Sequence, residues 1–186
     1  IYSLLVWVAA NAIVVANAGI TLGAIKFIAE LRGGGRDNLT AVLVRRLRSM
    51  QTKLLLIVVA VLAAIFAFVH DGIAPGVDPW LLGLLILSVA LRAPYMFNIA
   101  VLKGAQDFKS TAIVALAGAG FNLLLVVLAW TQAASLSTFI EVYAVSSLVF
   151  FLVSQWRTSR FARRATAGDA ALAPDLVGIG SFNVDG

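Results

Sequence analysis

Five long apolar runs alternate with short polar segments along the chain. Each run approaches the roughly 20 residues that an α-helix needs to cross a bilayer core, at a rise of about 1.5 Å per residue. The first, third, fourth and fifth runs hold at most one charged residue each, which is typical of helices that face lipid. The second is uncharged from Leu54 to Val69 and follows an amphipathic, basic lead-in at residues 40–53. The pattern predicts an all-α, polytopic transmembrane helix bundle, with spans at about residues 2–29, 40–69, 79–102, 110–130 and 137–156.

The overall composition agrees with a membrane protein. Hydrophobic residues make up 61% of the chain and charged residues 12%, whereas soluble domains are about half apolar and about one quarter charged. The net charge of +5 does not indicate a nucleic-acid partner, because the basic residues lie in short segments between apolar runs. The expected partner is instead the lipid bilayer. The absence of cysteine excludes disulfides and thiolate metal sites.

The basic residues alternate between successive connections. Counting Lys and Arg in each connection and its flanks gives 7, 0, 2, 0 and 4, the last value being for the start of the tail. Because cytoplasmic segments are enriched in Lys and Arg, we expect the first residue outside and residues 158–186 as a cytoplasmic tail or linker. The first connection and its flanks hold Lys26, Arg32, Arg36, Arg45, Arg46, Arg48 and Lys53.

The chain starts at Ile1, inside an apolar run that no basic segment precedes. A secretory signal peptide would carry a positively charged flank at this position. We therefore expect the sequence to be a segment of a longer protein, which continues before Ile1 and after Gly186.

Arg92 is the one basic residue outside the alternating scheme. It lies about 20 Å from Pro79 and about 16 Å from Lys103 along a helix axis, near the middle of a core about 30 Å thick. Such a charge usually faces a water-filled cavity or a partner, and a pyrophosphate would suit the planar guanidinium. Alternatively, Pro94 breaks the helix, and Arg92 reaches water or caps backbone carbonyls.

Other polar or helix-bending residues lie within the spans. Pro94 is a candidate gating residue, because broken helices line sites in many transporters. Asn11 and Asn17 are candidates for interhelical hydrogen bonds or for a cavity lining. Gly19 and Gly23 form a GxxxG step, which favours close helix packing.

No catalytic or metal-binding signature is present. The chain has one histidine and neither an HExxH sequence nor a nucleophile elbow. We therefore predict that it is not an enzyme and that it has no catalytic residues, no metal ligands and no cofactor.

Two stretches resemble the polysaccharide-biosynthesis flippases, the O-antigen-type members of the multidrug/oligosaccharidyl-lipid/polysaccharide exporter superfamily. Residues Asn17–Glu30 read NAGITLGAIKFIAE and resemble the glycine-bearing second helix of that family. Residues Ala100–Lys109 read AVLKGAQDFK and resemble its turn between the fourth and fifth helices. The resemblance covers roughly residues 1–160 and implies that the five spans are helices two to six, most of one lobe, in a transporter with about twelve to fourteen helices.

The resemblance also implies a function. Members of this family flip undecaprenyl-diphosphate-linked oligosaccharides across the bacterial plasma membrane by alternating access, for synthesis of cell-surface polysaccharides such as lipopolysaccharide O-antigen. Basic residues of a central cavity hold the pyrophosphate. Arg92 is the candidate for that role, with Lys26 as a weaker one.

Two other functions remain open from the sequence. The protein could be a related exporter of small molecules or lipid precursors, or a non-transporting membrane subunit of a polysaccharide assembly complex. The flippase hypothesis predicts that Arg92 faces a cavity lined partly by the first span.

Overall fold

The computed structural model describes the backbone of residues 2–73, 78–132 and 135–177, and the side chains of 3–36, 39–68, 78–132, 135 and 137–160. This described part is helical throughout, apart from short turns, and contains no strand. The helices are α1 (Tyr2–Asn17), α2 (Ile20–Gly33), α3 (Asp37–Ile73), α4 (Pro79–Gly104), α5 (Phe108–Thr131) and α6 (Leu136–Val177).

The all-α prediction is confirmed, and five segments of the described chain are long and apolar enough to cross a membrane. They coincide with the five predicted spans to within a few residues at most ends. The bundle is therefore compatible with a multi-pass membrane protein. The five segments are Ser3–Gly33, Leu39–Phe68, Pro79–Gly104, Phe108–Thr131 and Ser137–Arg160.

The first span is bent rather than continuous. Ala18 and Gly19 have φ angles of 31° and 76°, in the left-handed region, where α1 ends and α2 begins. Glycine adopts this conformation without steric cost. A Cβ atom on Gly19 would meet nothing within 4 Å, and one on Gly23 would meet only Phe27 of the same helix. The GxxxG step therefore brings no second helix close within the described bundle, so the packing prediction is wrong there. Gly19 supplies the bend instead.

Local sequence signals explain where α4 and α5 start. Asp78 caps α4, since its Oδ1 accepts a hydrogen bond from the backbone N–H of Trp80 at 2.9 Å, and Pro79 occupies the first helical turn. Asp107 caps α5 in the same way, accepting from the backbone N–H of Ser110 at 3.0 Å. The turn between these helices is tight, with Gln106 at a φ of 59°.

Helix α4 lies at the centre of the bundle and contacts each of the other five helices. One apolar core joins α1, α3 and α4, and a second joins α2 and α4. In the second core, a Cβ on Gly104 would lie 2.9 Å from Cβ of Ile28 and 3.1 Å from the carbonyl oxygen of Ala24. The absence of a side chain at Gly104 therefore lets the two backbones approach each other.

We call the end of the bundle that carries Gly33, Gly104, Phe108 and Arg160 the basic end. At this end Arg32 of α2 donates a hydrogen bond from Nη1 to the backbone carbonyl of Ala105, directly after α4. Helix α6 continues past this end to Val177. The sequence predicted little secondary structure in the tail, whereas the helix runs through most of it. Its 42 residues extend about 63 Å, roughly twice the thickness of a bilayer core.

Candidate functional site

Arg92 occupies the middle of the central helix. It follows Pro79 by 13 residues and precedes Gly104 by 12, which places it about 20 Å and about 18 Å from the two ends of α4. Its side chain is half-buried. The mid-span position predicted from the sequence therefore corresponds to the centre of the bundle.

The guanidinium of Arg92 packs against α6. Its Nε donates a 3.0 Å hydrogen bond to Oγ of Ser147, whose own hydroxyl donates to the carbonyl of Tyr143. The Arg92 Cζ lies 4.1 Å from the ring centroid of Tyr143 and 5.5 Å from that of Phe150. Both distances are within the range of cation–π attraction, which offsets part of the cost of placing the charge at this depth.

The two terminal nitrogens of Arg92, Nη1 and Nη2, differ from Nε in their hydrogen bonding. Neither makes a hydrogen bond within the described residues, and neither is among the fully buried atoms that lack a partner. They therefore reach the surface of the bundle with donors available. A planar pair of N–H donors suits a phosphate or carboxylate oxygen pair.

An open stripe runs from Arg92 toward the basic end. Met96, Ile99 and Lys103 follow Arg92 at intervals of three or four residues and so lie along one side of α4. Met96 is 43% exposed and Lys103 is also exposed, while Arg92 and Ile99 are half-buried. A cation lies at each end of the stripe, Arg92 and Lys103, and the two residues are about 16 Å apart along the helix axis.

Buried amides tie α3 to the middle of α4. Gln51 is 2% exposed. Its Nε2 donates to the backbone carbonyl of Ala93 at 2.7 Å and to Oδ1 of Asn17 at 3.2 Å. Asn17 in turn donates to the carbonyl of Ile13 and contacts the Met96 sulfur at 4.0 Å. These contacts fix the register of α3 against α4.

A second polar group lies nearer the basic end. The Nη2 of Arg48 donates to Oδ1 of Asn98 at 2.6 Å. The amide of Asn98 donates to Oγ of Ser154 and Oε1 of Gln155, both at 3.1 Å. Arg48 also lies 5.8 Å above the Phe97 ring. One buried asparagine therefore joins α3, α4 and α6.

The register of α3 places further cations within the depth of α4. Gln51 meets α4 at Ala93, 11 residues or about 16 Å from the end of that helix. Lys53 lies two residues beyond Gln51, farther from the basic end, and is exposed. Arg45 and Arg46 are exposed too, one to two turns nearer that end. The sequence pattern predicts these residues in a basic lead-in to the second span, at the cytoplasmic leaflet, where they determine topology. The structure sets Arg45, Arg46 and Lys53 alongside the central span.

The remaining predicted site residues fall outside this cluster. Asn11 is exposed and donates to the carbonyl of Trp7, four residues back on its own helix, and it makes no interhelical bond within the described residues. Its role in a cavity lining stays a prediction. Lys26 lies 3.9 Å from Glu30 of the same helix, with its side chain 71% exposed. Since Ala24 and Ile28 pack on Gly104, Lys26 is level with the basic end rather than with Arg92.

Asn17 and Pro94 are brought near the polar groups in different ways. Asn17 is buried and accepts from Gln51, so its interhelical bond is confirmed, and it does not line an open cavity. Pro94 sits within α4, which continues as helix on both sides. The alternative in which Pro94 breaks the helix is therefore wrong. Its gating role stays a prediction.

The predicted cavity around Arg92 differs from the arrangement observed. Arg92 contacts α6, not α1. A small apolar void does adjoin α1, but Val8, Leu62, Leu85 and Val89 line it with other apolar side chains. Within the described residues, the polar groups and this void are separate features.

Gln51 is not among the candidate residues of the sequence analysis, and Arg48 is not distinguished there from the neighbouring cations. One signal was available. Gln51, Leu55 and Leu62 share a helical face, and the two leucines are typical core residues, so this pattern would have predicted that Gln51 is buried with them. A buried amide requires partners, which would have pointed to Asn17 and α4.

Comparison with known proteins finds no matching family model, no similar characterised protein and no similar solved structure.

Proposed function

We propose that the chain forms most of one lobe of a transporter that flips undecaprenyl-diphosphate-linked oligosaccharides across the bacterial plasma membrane. The basic end is cytoplasmic in this proposal, as is the tail that continues α6. The observation that carries the proposal is Arg92, half-buried at the midpoint of the central span with two donor nitrogens unused. A charge at this depth requires water or an anion beside it.

The distribution of the other cations supports a path rather than a single point. Lys103 ends the open stripe that begins at Arg92, and Arg45, Arg46 and Lys53 are exposed on α3 alongside the span. Exposed ammonium and guanidinium groups at membrane depth are strongly disfavoured against lipid tails. They are accommodated if those surfaces of α3 and α4 face aqueous space. A lipid diphosphate crossing the membrane would meet such groups in turn.

In the proposed mechanism, Arg92 binds the diphosphate through its terminal nitrogens. Ser147 and Tyr143 hold the guanidinium in one orientation, so that little side-chain entropy is lost on binding. The isoprenoid chain stays in lipid while the sugars pass through the aqueous space. Lys26 would attract the anionic head at the cytoplasmic surface, consistent with its exposed position.

The test uses the full-length protein that contains this sequence, reconstituted in vesicles with a fluorescent undecaprenyl-diphosphate-linked sugar. Dithionite quenching measures the fraction of lipid that remains protected in the inner leaflet. We expect Arg92→Gln to slow flipping about tenfold or more, since a charge-assisted hydrogen bond contributes ~1.5–3 kcal/mol. Arg92→Lys should retain part of the rate, because it keeps the charge but not the fork.

The matched control is Arg36→Gln, which removes one positive charge from the exposed connection between α2 and α3. It should flip at the wild-type rate. If the Arg92→Gln variant flips the lipid at the wild-type rate, with equal protein yield and equal melting temperature, the proposed role of Arg92 is overturned. If the wild-type protein moves small molecules but no lipid-linked sugar, the exporter alternative replaces the flippase. Absence of any transport favours a non-transporting subunit.

A further inference from the structure

Two arginines contact one tryptophan at the basic end of α6. The Cζ of Arg160 lies 4.0 Å from the Trp156 ring centroid, and the Cζ of Arg157 lies 4.8 Å from it. These residues form the last turn of the span Ser137–Arg160. A tryptophan at the end of a span is typical of the interface between lipid tails and head groups.

Neither guanidinium has a carboxylate partner among the residues whose side chains are described. In addition, Nε of Arg157 is buried and makes no hydrogen bond to any residue whose side chain the structure describes. A buried N–H without an acceptor is uncommon in folded proteins, so we expect a hydrogen-bond acceptor beside this atom. The sequence adds Arg163 and Arg164 within the next turn. The cluster therefore has strong positive charge, and its exposed member Arg160 and the terminal nitrogens of Arg157, which are not among the fully buried atoms, are available to an anion.

The same side of α6 changes from apolar to basic along its length. Leu148, Leu152, Trp156 and Arg160 follow at intervals of four residues, and adjacent members of such a series are neighbours on a helix. All four are exposed, Leu152 at 54% and Trp156 at 47%. The order of aliphatic, aromatic and cationic groups matches that of acyl chain, glycerol and phosphate in a phospholipid.

From this match we infer that Trp156, Arg157 and Arg160 form a binding site for the phosphate of an anionic phospholipid, with its acyl chain along Leu148 and Leu152. The guanidinium groups donate to phosphate oxygens, and the indole packs against the glycerol region. A soluble phosphate would gain nothing from the two leucines, which is why a lipid is the occupant. The phosphate-binding part of the site lies on α6 beyond Ser154, whereas Arg92 contacts Tyr143, Ser147 and Phe150 on that helix.

Tryptophan fluorescence tests this site directly. In the full-length protein, Trp7, Trp80 and Trp130 of this sequence are replaced by Phe, together with any tryptophan elsewhere in that protein, so that Trp156 alone reports. The protein is reconstituted in phosphatidylcholine vesicles that contain a minor fraction of either brominated phosphatidylglycerol or brominated phosphatidylcholine. We expect phosphatidylglycerol to quench Trp156 with an apparent affinity about fivefold higher.

Arg157→Gln/Arg160→Gln should remove that preference, and Arg160→Gln alone should reduce it. The control is Lys109→Gln, which removes an exposed cation from the same end of the bundle, on α5 rather than α6; it should leave the preference unchanged. Equal quenching by both brominated lipids in the starting protein would overturn the inference. So would an equal loss of preference in Lys109→Gln, since that indicates attraction by general surface charge. Circular dichroism confirms that each variant keeps its helix content.

Discussion

The Nε2 atom of Gln51 lies 2.7 Å from the backbone carbonyl oxygen of Ala93, so that a buried side chain of α3 is hydrogen-bonded to the middle of α4. The same amide also donates to Oδ1 of Asn17, the last residue of α1. Three helices thus meet at one side chain, which contacts α4 at Ala93, the residue that precedes Pro94. This contact also determines which α3 residues lie level with Arg92.

Replacing Gln51 with alanine should destabilise the bundle by about 1–3 kcal/mol, since an interhelical hydrogen bond in a membrane contributes ~0.6–1.7 kcal/mol and a small void is added. Reversible unfolding in detergent mixtures measures the change. Thr52→Ala is the control, because Thr52 is exposed and bonds only to the carbonyl of Arg48 on its own helix. If the two variants unfold at the same detergent composition, then Gln51 does not join the helices.

The contact between α5 and α6 provides a second prediction. A Cβ atom on Gly118 would overlap the ring of Phe150, and that ring packs 4.9 Å from Tyr95. Gly118→Ala should therefore lower stability by about 1–3 kcal/mol, the usual cost of overpacking. Gly120→Ala is the matched control, as nothing lies within 4 Å of its Cβ position.

Unfolding in detergent mixtures distinguishes these outcomes. Gly120→Ala should be neutral or stabilising by up to ~1 kcal/mol, because alanine is the better helix former. Adding Phe150→Leu to Gly118→Ala should restore much of the lost stability by making room. If Gly118→Ala is as stable as Gly120→Ala, then the close approach of α5 to α6 at this position is wrong.

The orientation of the bundle is also testable, because the sequence contains no cysteine. A single cysteine at Gly34, in the connection after α2, should resist a membrane-impermeant maleimide applied to intact cells of a full-length protein free of other cysteines. A cysteine at Gln132, after α5, should react. Both should react once the cells are opened. Labelling of Gly34→Cys in intact cells would contradict the positive-inside assignment and, with it, the flippase proposal.

The positions of the five spans follow from the sequence alone. A backbone in lipid has to satisfy its own hydrogen bonds, so any apolar run of about 20 residues forms a helix whatever its neighbours are. The sequence also determines that Arg92 lies at mid-depth, since depth along a helix is a count of residues from its ends. Capping of α4 by Asp78 and of α5 by Asp107 is likewise local chemistry.

Only the tertiary structure decided which side chains meet. That Arg92 stacks on Tyr143, that Gln51 is buried while Asn11 is exposed, and that Gly104 rather than Gly19 allows two helices to approach all depend on rotation and axial register. Apolar runs specify neither the rotation nor the axial register of a helix, because nearly every face of such a helix is apolar and its hydrophobic pattern is weakly directional. Register is instead selected by a few buried polar groups that must find partners and by the shapes that pack without voids.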